Sequence, residues 1–176
     1  MPLELTTDTP VSGLALIRRP VFRDERGRFL SIYVEGELDA LLPAGVKFLE
    51  DDVSLSRQGV LRGMHGDDRT WKLVCCLYGE VFLAVADLRP GSRTFKSVFT
   101  RRFQAEEGWQ ALIPPGCVNG HKCLSEFSLF AYKQSHTYTG AQNQVSVRWN
   151  DPALRIPWPG PDPILSERDR LAPLTA

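Results

Sequence analysis

Three side chains in one short segment could together hold an anion and move a proton. The segment GVLRGMHGDDRTWK carries Arg62, His65 and Lys72 between two apolar runs. Near the far end of the chain, the run LSERD offers a carboxylate, Asp169. Histidine has an ordinary pKa near ~6.5, which suits it to take up and release protons at neutral pH. Asp169 could partner His65 if the fold brought these distant residues together.

The sequence around these groups predicts short β-strands. The chain has 13 prolines and 14 glycines, which separate runs rich in Val, Leu, Phe and Tyr. Many strands of similar length separated by turns are typical of an all-β sandwich or jelly roll. The predicted strands cover residues 13–19, 28–33, 45–49, 72–78, 80–87, 96–104, 109–114, 126–134 and 144–149.

Three further features of local structure follow from the sequence. The run EGELDALLP (35–43) predicts a short helix, and a second helical turn is expected near 166–171. The apolar runs on either side of Tyr78-Gly79 resemble a β-hairpin. The stretch 156–163 is too rich in proline for a central strand, so we expect an extended surface arm that returns the C-terminal carboxylate to the mouth of a barrel.

Composition indicates one domain without a strong electrostatic bias. We expect residues 1–176 to form a single domain, with 156–176 packing back on the barrel. Lys plus Arg number 21 and Asp plus Glu number 21, so no positive field favours nucleic acid or an anionic membrane. The apolar runs are too short to cross a bilayer and the N-terminus does not read as a signal peptide, so we expect a cytoplasmic protein. The four cysteines lack CxxC spacing and are interpreted as buried free thiols.

Arginine is dense near the N-terminus, at Arg18, Arg19, Arg23, Arg26 and Arg28. For most of these residues the favoured interpretation is a charged, exposed strand edge that discourages pairing with other chains. A guanidinium group also offers a planar fork of donors to a phosphate. Arg26, in the apparent turn DERG, is the candidate for that role.

Several motifs, in order along nearly the whole chain, resemble one enzyme family. They are VFRDERGRF (21–29), GVLRGMH (59–65), KLVCCLYGEVFLAVADLRPGS (72–92), IPPGCVNGH (113–121), AYKQSHTY (131–138), RWNDPALRIPW (148–158) and LSERD (165–169). Together they are similar to the dTDP-4-dehydrorhamnose 3,5-epimerases, the RmlC-like cupins. The fragments RGMHGD, LLPAG and PILSERD resemble more closely a branch that acts on GDP-linked 4-keto heptoses.

The resemblance implies a fold and a substrate class. The fold would be a cupin-type double-stranded β-helix, or jelly roll, with short peripheral helices. It would form a homodimer that shares sheet edges, with an active site inside each barrel that needs no metal or other cofactor. The substrate would be a GDP- or dTDP-linked 4-keto-6-deoxy sugar, a hexose or a heptose, inverted at C3, C5 or both.

The resemblance also implies roles for individual residues. His65 would be the general base, with Asp169 as its orienting carboxylate. Lys72 would sit by the C4 oxygen of the sugar, and Tyr138 would be the acid on the opposite face. Further positions that would bind substrate are Arg26, Arg62, Phe22 and Tyr132.

The chemistry of a 4-keto sugar explains why such residues are needed. The ketone lets the charge left by a proton at C3 or C5 spread onto oxygen, where the Lys72 ammonium group would stabilise it. Inversion requires that a proton return from the other face, which is the part implied for Tyr138.

The motifs depart from those of cupins that bind a metal. Such cupins often carry a first motif with HxH, which reads His65-Gly66-Asp67 here. Their second motif, PxGxxH, ends here in Asn119 instead of histidine. A metal site needs several ligands of the right kind on converging strands, so we expect none.

Three positions also differ from the pattern common in dTDP-specific enzymes. Ser31 stands where glutamate is common, Glu50 where glutamine is common, and Asn119 where histidine is frequent. A carboxylate such as Glu50 could accept two hydrogen bonds from the edge of guanine, so GDP is a hypothesis for the nucleotide. His121, close to Asn119 in the sequence, is a further candidate to reach the pocket.

The sequence is also compatible with other functions. An enzyme that acts at C3 only or at C5 only would keep the same base and acid. A ketoisomerase of related fold usually shows a histidine-rich first motif, which this chain lacks. A cupin that binds nucleotide sugars without turnover would be favoured by the loss of His65 or Tyr138, and both are present.

Overall fold

The computed structural model describes residues 3–175, which fold mainly into antiparallel β-sheets. The strands are β1 (Glu4–Thr6), β2 (Ala15–Arg18), β3 (Phe22–Asp24), β4 (Gly27–Phe29), β5 (Glu50–Arg57), β6 (Leu61–Gly66), β7 (Lys72–Tyr78), β8 (Glu80–Asp87), β9 (Val98–Gln104), β10 (Trp109–Ile113), β11 (Cys117–Cys123), β12 (Phe127–Gln134) and β13 (Val145–Ser146). The helix α1 spans Glu167–Leu171, and single 3₁₀ turns lie at Asp39–Leu41, Ala105–Glu107 and Ala141–Asn143. No helix in this described range is long and apolar enough to cross a membrane.

Two large sheets face each other and enclose the core. The six-stranded sheet has the order β1-β2-β10-β7-β12-β5, and the five-stranded sheet has the order β13-β6-β11-β8-β9. In β8, Val81, Leu83 and Val85 join the cluster between the sheets, whereas Ala84 and Ala86 join a second cluster with residues of the C-terminal region. β8 is therefore buried on both faces, which explains its continuous apolar sequence. The predicted all-β double-stranded β-helix is confirmed.

The apolar strands lie close to where the sequence predicts them, whereas five other strands were missed. The missed strands are the three-residue strands β1 and β3, together with β5 (EDDVSLSR), β6 (LRGMHG) and β11 (CVNGHKC). β5 is an edge strand and mostly exposed. β6 and β11 carry polar side chains that face a cavity, so neither shows an apolar stripe that would reveal a strand.

Several predicted elements are shorter than expected or absent. The predicted strand 45–49 is wrong, because these residues form a turn and an extended segment. Of 28–33 only the part inside β4 is strand, and 144–149 is reduced to β13. The predicted helix 35–43 is wrong in extent, since only Asp39–Leu41 is helical, as a 3₁₀ turn.

The predicted hairpin at Tyr78-Gly79 is also wrong. β7 belongs to the six-stranded sheet and β8 to the five-stranded sheet, so the short connection moves the chain from one sheet to the other. Gly79 has a φ of +74°, and a Cβ at this position would lie 2.2 Å from the carbonyl oxygen of Phe127. The connection therefore depends on a residue without a side chain.

The proline-rich stretch forms the expected extended arm. Lys122 Nζ donates hydrogen bonds to the carbonyl oxygens of Pro159 (2.8 Å) and Pro161 (2.5 Å), which hold the arm against β11. The arm then leads into α1, whose first turn is capped by the Ser166 hydroxyl accepting from the Asp169 N–H at 3.1 Å. The predictions of an arm and of a helical turn near 166–171 are confirmed.

Candidate active site

A cavity of about 300 Å³ opens between the two large sheets. The five-stranded sheet contributes His65 from β6 and Asn119 from β11, which lie directly opposite each other in the strand register. The six-stranded sheet contributes Lys72 from the start of β7 and Tyr132 and Gln134 from β12. The cavity thus receives a possible base, an amine and a phenol from different strands of the two sheets.

The fold brings His65 and Asp169 into contact. His65 Nε2 lies 2.6 Å from Asp169 Oδ1, and the exposed fractions of their side chains are 22% and 4%. Burial alone would raise the pKa of Asp169, but the hydrogen bond and the charge of His65 outweigh it and hold this pKa below its usual value. Asp169 is therefore a carboxylate at neutral pH, and it accepts the Nε2–H of the imidazole.

Lys72 is a buried amine at the wall of the cavity. Its Nζ donates to the carbonyl oxygen of His65 and to Oδ1 of Asn119, both at 3.2 Å. Burial lowers the pKa of Lys72 to about 8, against the opposing charge of Asp67. The ammonium form therefore predominates at neutral pH and lies close to the His65 backbone.

Two tyrosines line the cavity in different settings. The Tyr132 hydroxyl lies 3.1 Å from Nδ1 of His121, inside the barrel. Burial raises the pKa of Tyr132, which keeps its phenol protonated at neutral pH. Tyr138 is 50% exposed, and its backbone N–H donates to the Glu50 carboxylate at 2.7 Å.

Two arginines add positive charge at the cavity. Arg62 donates to Ser56 Oγ at 3.0 Å and to the carbonyl oxygen of Leu55 at 3.2 Å. Arg168 donates to Ser146 Oγ at 2.9 Å and to Gln144 Oε1 at 3.2 Å. Because these partners are neutral, both guanidinium groups keep a full positive charge available to an anion.

The family model described as dTDP-4-dehydrorhamnose 3,5-epimerase matches residues 8–176. This chain belongs to that family. The resemblance seen in its motifs is confirmed, and the members of the family are carbohydrate epimerases.

Individual members of the epimerase family are similar over nearly their full length. The chain is 38% identical to dTDP-4-dehydrorhamnose 3,5-epimerase of Pseudomonas aeruginosa over 167 residues, which cover 93% of this chain and 92% of that protein. It is 37% identical to the enzyme of the same name from Salmonella typhimurium over 170 residues, with 94% and 92% covered. The solved structure of dTDP-6-deoxy-D-glucose-3,5-epimerase RmlC from Legionella pneumophila in complex with dTDP-4-keto-L-rhamnose has a TM-score of 0.91 and 34% identity, with 98% of this chain and 93% of that chain covered.

Two residues that the family resemblance assigned to the pocket lie elsewhere in this chain. Phe22 and Arg26 are on the small β3–β4 hairpin, and Arg26 pairs with Asp24. Arg28 of this hairpin donates to the carbonyl oxygen of Leu77, at the end of β7 opposite to the cavity. Phe22 and Arg26 therefore do not line the cavity of their own chain, and their role in substrate binding stays a prediction.

His121 and Glu50 also occupy positions that differ from those expected. His121 is completely buried and does not line the cavity, but it contacts Tyr132, which does. Glu50 has one carboxylate oxygen engaged by the Tyr138 backbone. His121 thus lies behind the cavity wall, and its part in substrate binding stays a prediction.

Sequence reasoning missed four polar residues of the cavity wall. The missed residues are Asp52, Gln134, Gln144 and Arg168. Arg168 could have been found, because it adjoins Asp169 in the motif LSERD. In the sequence, the other three cannot be distinguished from exposed polar residues.

No group of three or more His, Cys, Asp or Glu side chains that could hold a metal ion converges anywhere between residues 3 and 175.

Proposed function

We propose that this chain epimerises a nucleotide-linked 4-keto-6-deoxy sugar at C3 and C5. The observation that carries the proposal is the His65–Asp169 pair at a cavity whose wall also holds the Lys72 ammonium group. The names of the related enzymes agree with this chemistry. A positioned base beside a fixed positive charge is what proton abstraction next to a ketone requires.

The first step is assigned to His65. Asp169 accepts the Nε2–H, which leaves Nδ1 as the basic nitrogen, and the carboxylate stabilises the imidazolium that forms. The electron pair of the broken C–H bond moves onto the C4 oxygen of the sugar. Lys72 stabilises that oxyanion, a contribution that is worth on the order of 3 kcal/mol for one donor.

The second step needs an acid on the opposite face, and the cavity offers two phenols. The motifs imply Tyr138, which is half exposed. Tyr132 contacts His121 inside the barrel, and its raised pKa means that the phenol carries its proton when the substrate binds. We assign proton donation to Tyr132 and the covering of the bound substrate to Tyr138.

The nucleotide diphosphate is assigned to the two arginines with neutral partners. Arg62 and Arg168 both line the cavity, and their forked donors suit phosphate oxygens. The related enzymes are named for dTDP-linked sugars, and we propose dTDP for this chain as well. The guanine hypothesis has no support from these relatives, and one oxygen of Glu50 is already engaged.

A homodimer would explain the exposed edge of the six-stranded sheet. β5 is the terminal strand of that sheet and exposes Val53 (58%) and Leu55 (62%). An unpaired strand edge with apolar side chains favours pairing with another chain. A second copy could also carry its Phe22 and Arg26 to the cavity. Analytical ultracentrifugation of Val53→Lys, which should shift the protein toward monomer, tests this arrangement.

The central experiment incubates the protein with dTDP- and GDP-linked 4-keto-6-deoxy sugars in heavy water and follows deuterium at C3 and C5 by NMR. We expect exchange and inversion at both carbons with the dTDP sugar. His65→Asn should abolish exchange at both, whereas His136→Asn, an exposed histidine outside the cavity wall, should behave like the wild type. Exchange at one carbon alone would indicate a mono-epimerase, and tight binding without any exchange would indicate a binding protein.

The same assay separates the two tyrosines. Tyr132→Phe should allow deuterium exchange while it slows inversion, because the base still works and the opposite-face donor is gone. Tyr138→Phe should weaken substrate binding and leave the ratio of inversion to exchange unchanged. The reverse pattern would return the acid role to Tyr138.

A further inference from the structure

His121 is a buried histidine in direct contact with a residue of the cavity. Its side chain is 0% exposed and stacks on Phe130, with ring centroids 4.0 Å apart and planes inclined by 20°. Its Nδ1 lies 3.1 Å from the Tyr132 hydroxyl oxygen. Burial lowers the pKa of His121 to about 3, and the positive charge of Arg62 acts in the same direction. The imidazole is therefore neutral and carries one ring hydrogen.

The position of that hydrogen follows from the other ring nitrogen. Nε2 of His121 is buried and has no hydrogen-bond partner. If Nε2 carried the hydrogen, a donor would be buried without an acceptor, which is rarer in proteins than an acceptor without a donor. The tautomer with hydrogen on Nδ1 avoids this cost, and it makes His121 the donor to Tyr132.

This tautomer also decides where the phenolic hydrogen of Tyr132 points. An oxygen that accepts from Nδ1–H must direct its own O–H elsewhere, and Tyr132 forms part of the cavity wall. Burial, together with the charges of Asp52 and Asp169, raises the pKa of Tyr132, whereas the Arg62 charge and the nearby Ser54 hydroxyl lower it. The site as a whole disfavours the phenolate, so a donor at Nδ1 of His121 would supply stabilisation that the anion needs.

We propose that His121 is a positioning residue that aims the Tyr132 O–H into the cavity and then donates to the phenolate. This inference rests on the proposed function, in which Tyr132 is the acid. In the step, the enolate electron pair forms a new C–H bond with the Tyr132 proton, and the C4 oxygen returns to a ketone. The electron pair of the O–H bond stays on Tyr132 as a phenolate, which regains a proton from water. A hydrogen bond from Nδ1–H to this anion is stronger than one to the neutral phenol.

The kinetic test compares two substitutions of His121 in the deuterium-exchange assay. His121→Phe keeps a ring to stack on Phe130 but removes the donor, and it should lower kcat for inversion about ten- to a hundredfold, as expected for a hydrogen bond to a charged group. KM and the exchange that His65 catalyses should change little. His121→Asn restores an N–H near the position of Nδ1 and should recover part of the loss.

A double substitution separates positioning from packing. In a Tyr132→Phe background the hydroxyl is absent, so His121→Phe should cause no further loss of inversion. An equal loss in both backgrounds would overturn the inference, as would unchanged inversion in the single variant. Ser128→Ala, which removes another buried hydroxyl from the same strand as Tyr132, is the matched control and should leave inversion unchanged.

The tautomer can be measured without any turnover. Long-range ¹H–¹⁵N correlation NMR of the folded protein should show His121 with hydrogen on Nδ1, and a hydrogen on Nε2 would overturn the inference. If the wild type neither exchanges nor inverts any of the sugars, the proposed function fails. If it does both and His121→Phe is indistinguishable from it, only the role of His121 fails.

Discussion

The Nε2 atom of His65 lies 2.6 Å from the Oδ1 atom of Asp169, although 104 positions separate the two residues. The contact depends on an arm without regular structure that crosses the surface and on a five-residue helix that begins beside the cavity. Ile156 and Trp158 of the arm pack against the apolar cluster that includes Ala84 and Ala86. Lys122 and the cap at Ser166 add polar contacts. The orientation of the base is thus supported by contacts remote from the substrate.

The first prediction concerns the carboxylate of this pair. Asp169→Asn should leave the fold intact but lower kcat by about a hundredfold or more, because an amide cannot stabilise the imidazolium and favours the wrong tautomer. Steady-state kinetics on the epimerase substrate would measure the loss. Glu167→Gln, on the exposed side of the same helix, is the control and should retain activity. Full activity of Asp169→Asn would show that His65 needs no orienting acid.

The fold was predictable where burial and sequence period agree. β7, β8 and β12 are apolar over most of their length, and they lie where the sequence places them. β11 is central in its sheet, yet its sequence CVNGHKC carries no apolar alternation, because it has a glycine and polar side chains that serve the cavity or contact the arm. The side chains needed at the cavity and the arm thus take the positions where apolar residues would otherwise reveal a strand.

The site was predictable where the family motifs coincide with the cavity. Those motifs name His65, Lys72 and Asp169, which the fold brings together at one cavity. They did not reveal that Arg26 lies outside the cavity of its own chain, since a motif carries no information about where its side chains lie relative to the cavity. Nor could the sequence show that Tyr132 lines the cavity while His121 contacts it from behind the cavity wall. These positions depend on how the side chains of β11 and β12 pack between the two sheets.

The pH dependence of the reaction should follow Lys72. Its pKa is about 8, lowered by burial, and only the charged form stabilises the C4 oxyanion. The rate should therefore fall as pH rises through about 8, where the amine loses its proton. A profile of kcat against pH would show this alkaline limb. A rate that stays flat well above that pH would mean that the charge of Lys72 is not required.

The buried charge of Lys72 should also lower the free energy of unfolding, and this loss should depend on pH. The amine has a pKa of 10.5 when exposed and about 8 when folded, so the unfolded chain binds more protons between these values and stability rises with pH across that window. At pH values below this window, the buried ammonium group lowers the free energy of unfolding by about 3 kcal/mol. Lys72→Met should remove this cost but leave two acceptors unpaired, at about 1 kcal/mol each.

The net expectation for Lys72→Met is a gain of about 1 kcal/mol in the free energy of unfolding at pH 7, with activity lost. Urea denaturation at that pH would measure it. Lys47→Met replaces a lysine that is 75% exposed, and it should change stability by less than about 0.5 kcal/mol. A clear destabilisation by Lys72→Met would indicate that the ammonium group is well compensated in the folded protein.

Glu50 should act by holding the segment that carries Tyr138. Its carboxylate accepts the Tyr138 N–H at 2.7 Å, and the residues around Tyr138 have no regular structure of their own. Glu50→Ala should raise KM up to about tenfold with little change in kcat, the effect of losing one hydrogen bond. Glu50→Gln keeps an acceptor and should behave like the wild type. If Glu50→Gln instead selectively weakened use of a GDP-linked sugar, the carboxylate would be reading guanine.

Gly63 should be irreplaceable because β6 and β11 approach each other too closely for a side chain. Its φ is +124°, and a Cβ would lie 2.4 Å from the Cα of Gly120 and 2.7 Å from the carbonyl oxygen of Asn119. The register between the strands shifts at this point, between Asn119 and His121. Gly63→Ala should therefore lower the free energy of unfolding by at least about 2 kcal/mol and disturb His65 two residues later.

A matched substitution isolates the steric part of this loss. Gly91 has a φ of +81°, and no atom lies within 4 Å of the position that a Cβ would take there. Gly91→Ala therefore carries the cost of backbone strain alone, about 1 kcal/mol. Chemical denaturation of both variants would give the difference, and kinetics would show whether only Gly63→Ala impairs turnover. Equal losses of stability would mean that the two strands can move apart, and the position of His65 would then tolerate more change than the close contact of Gly63 with Gly120 indicates.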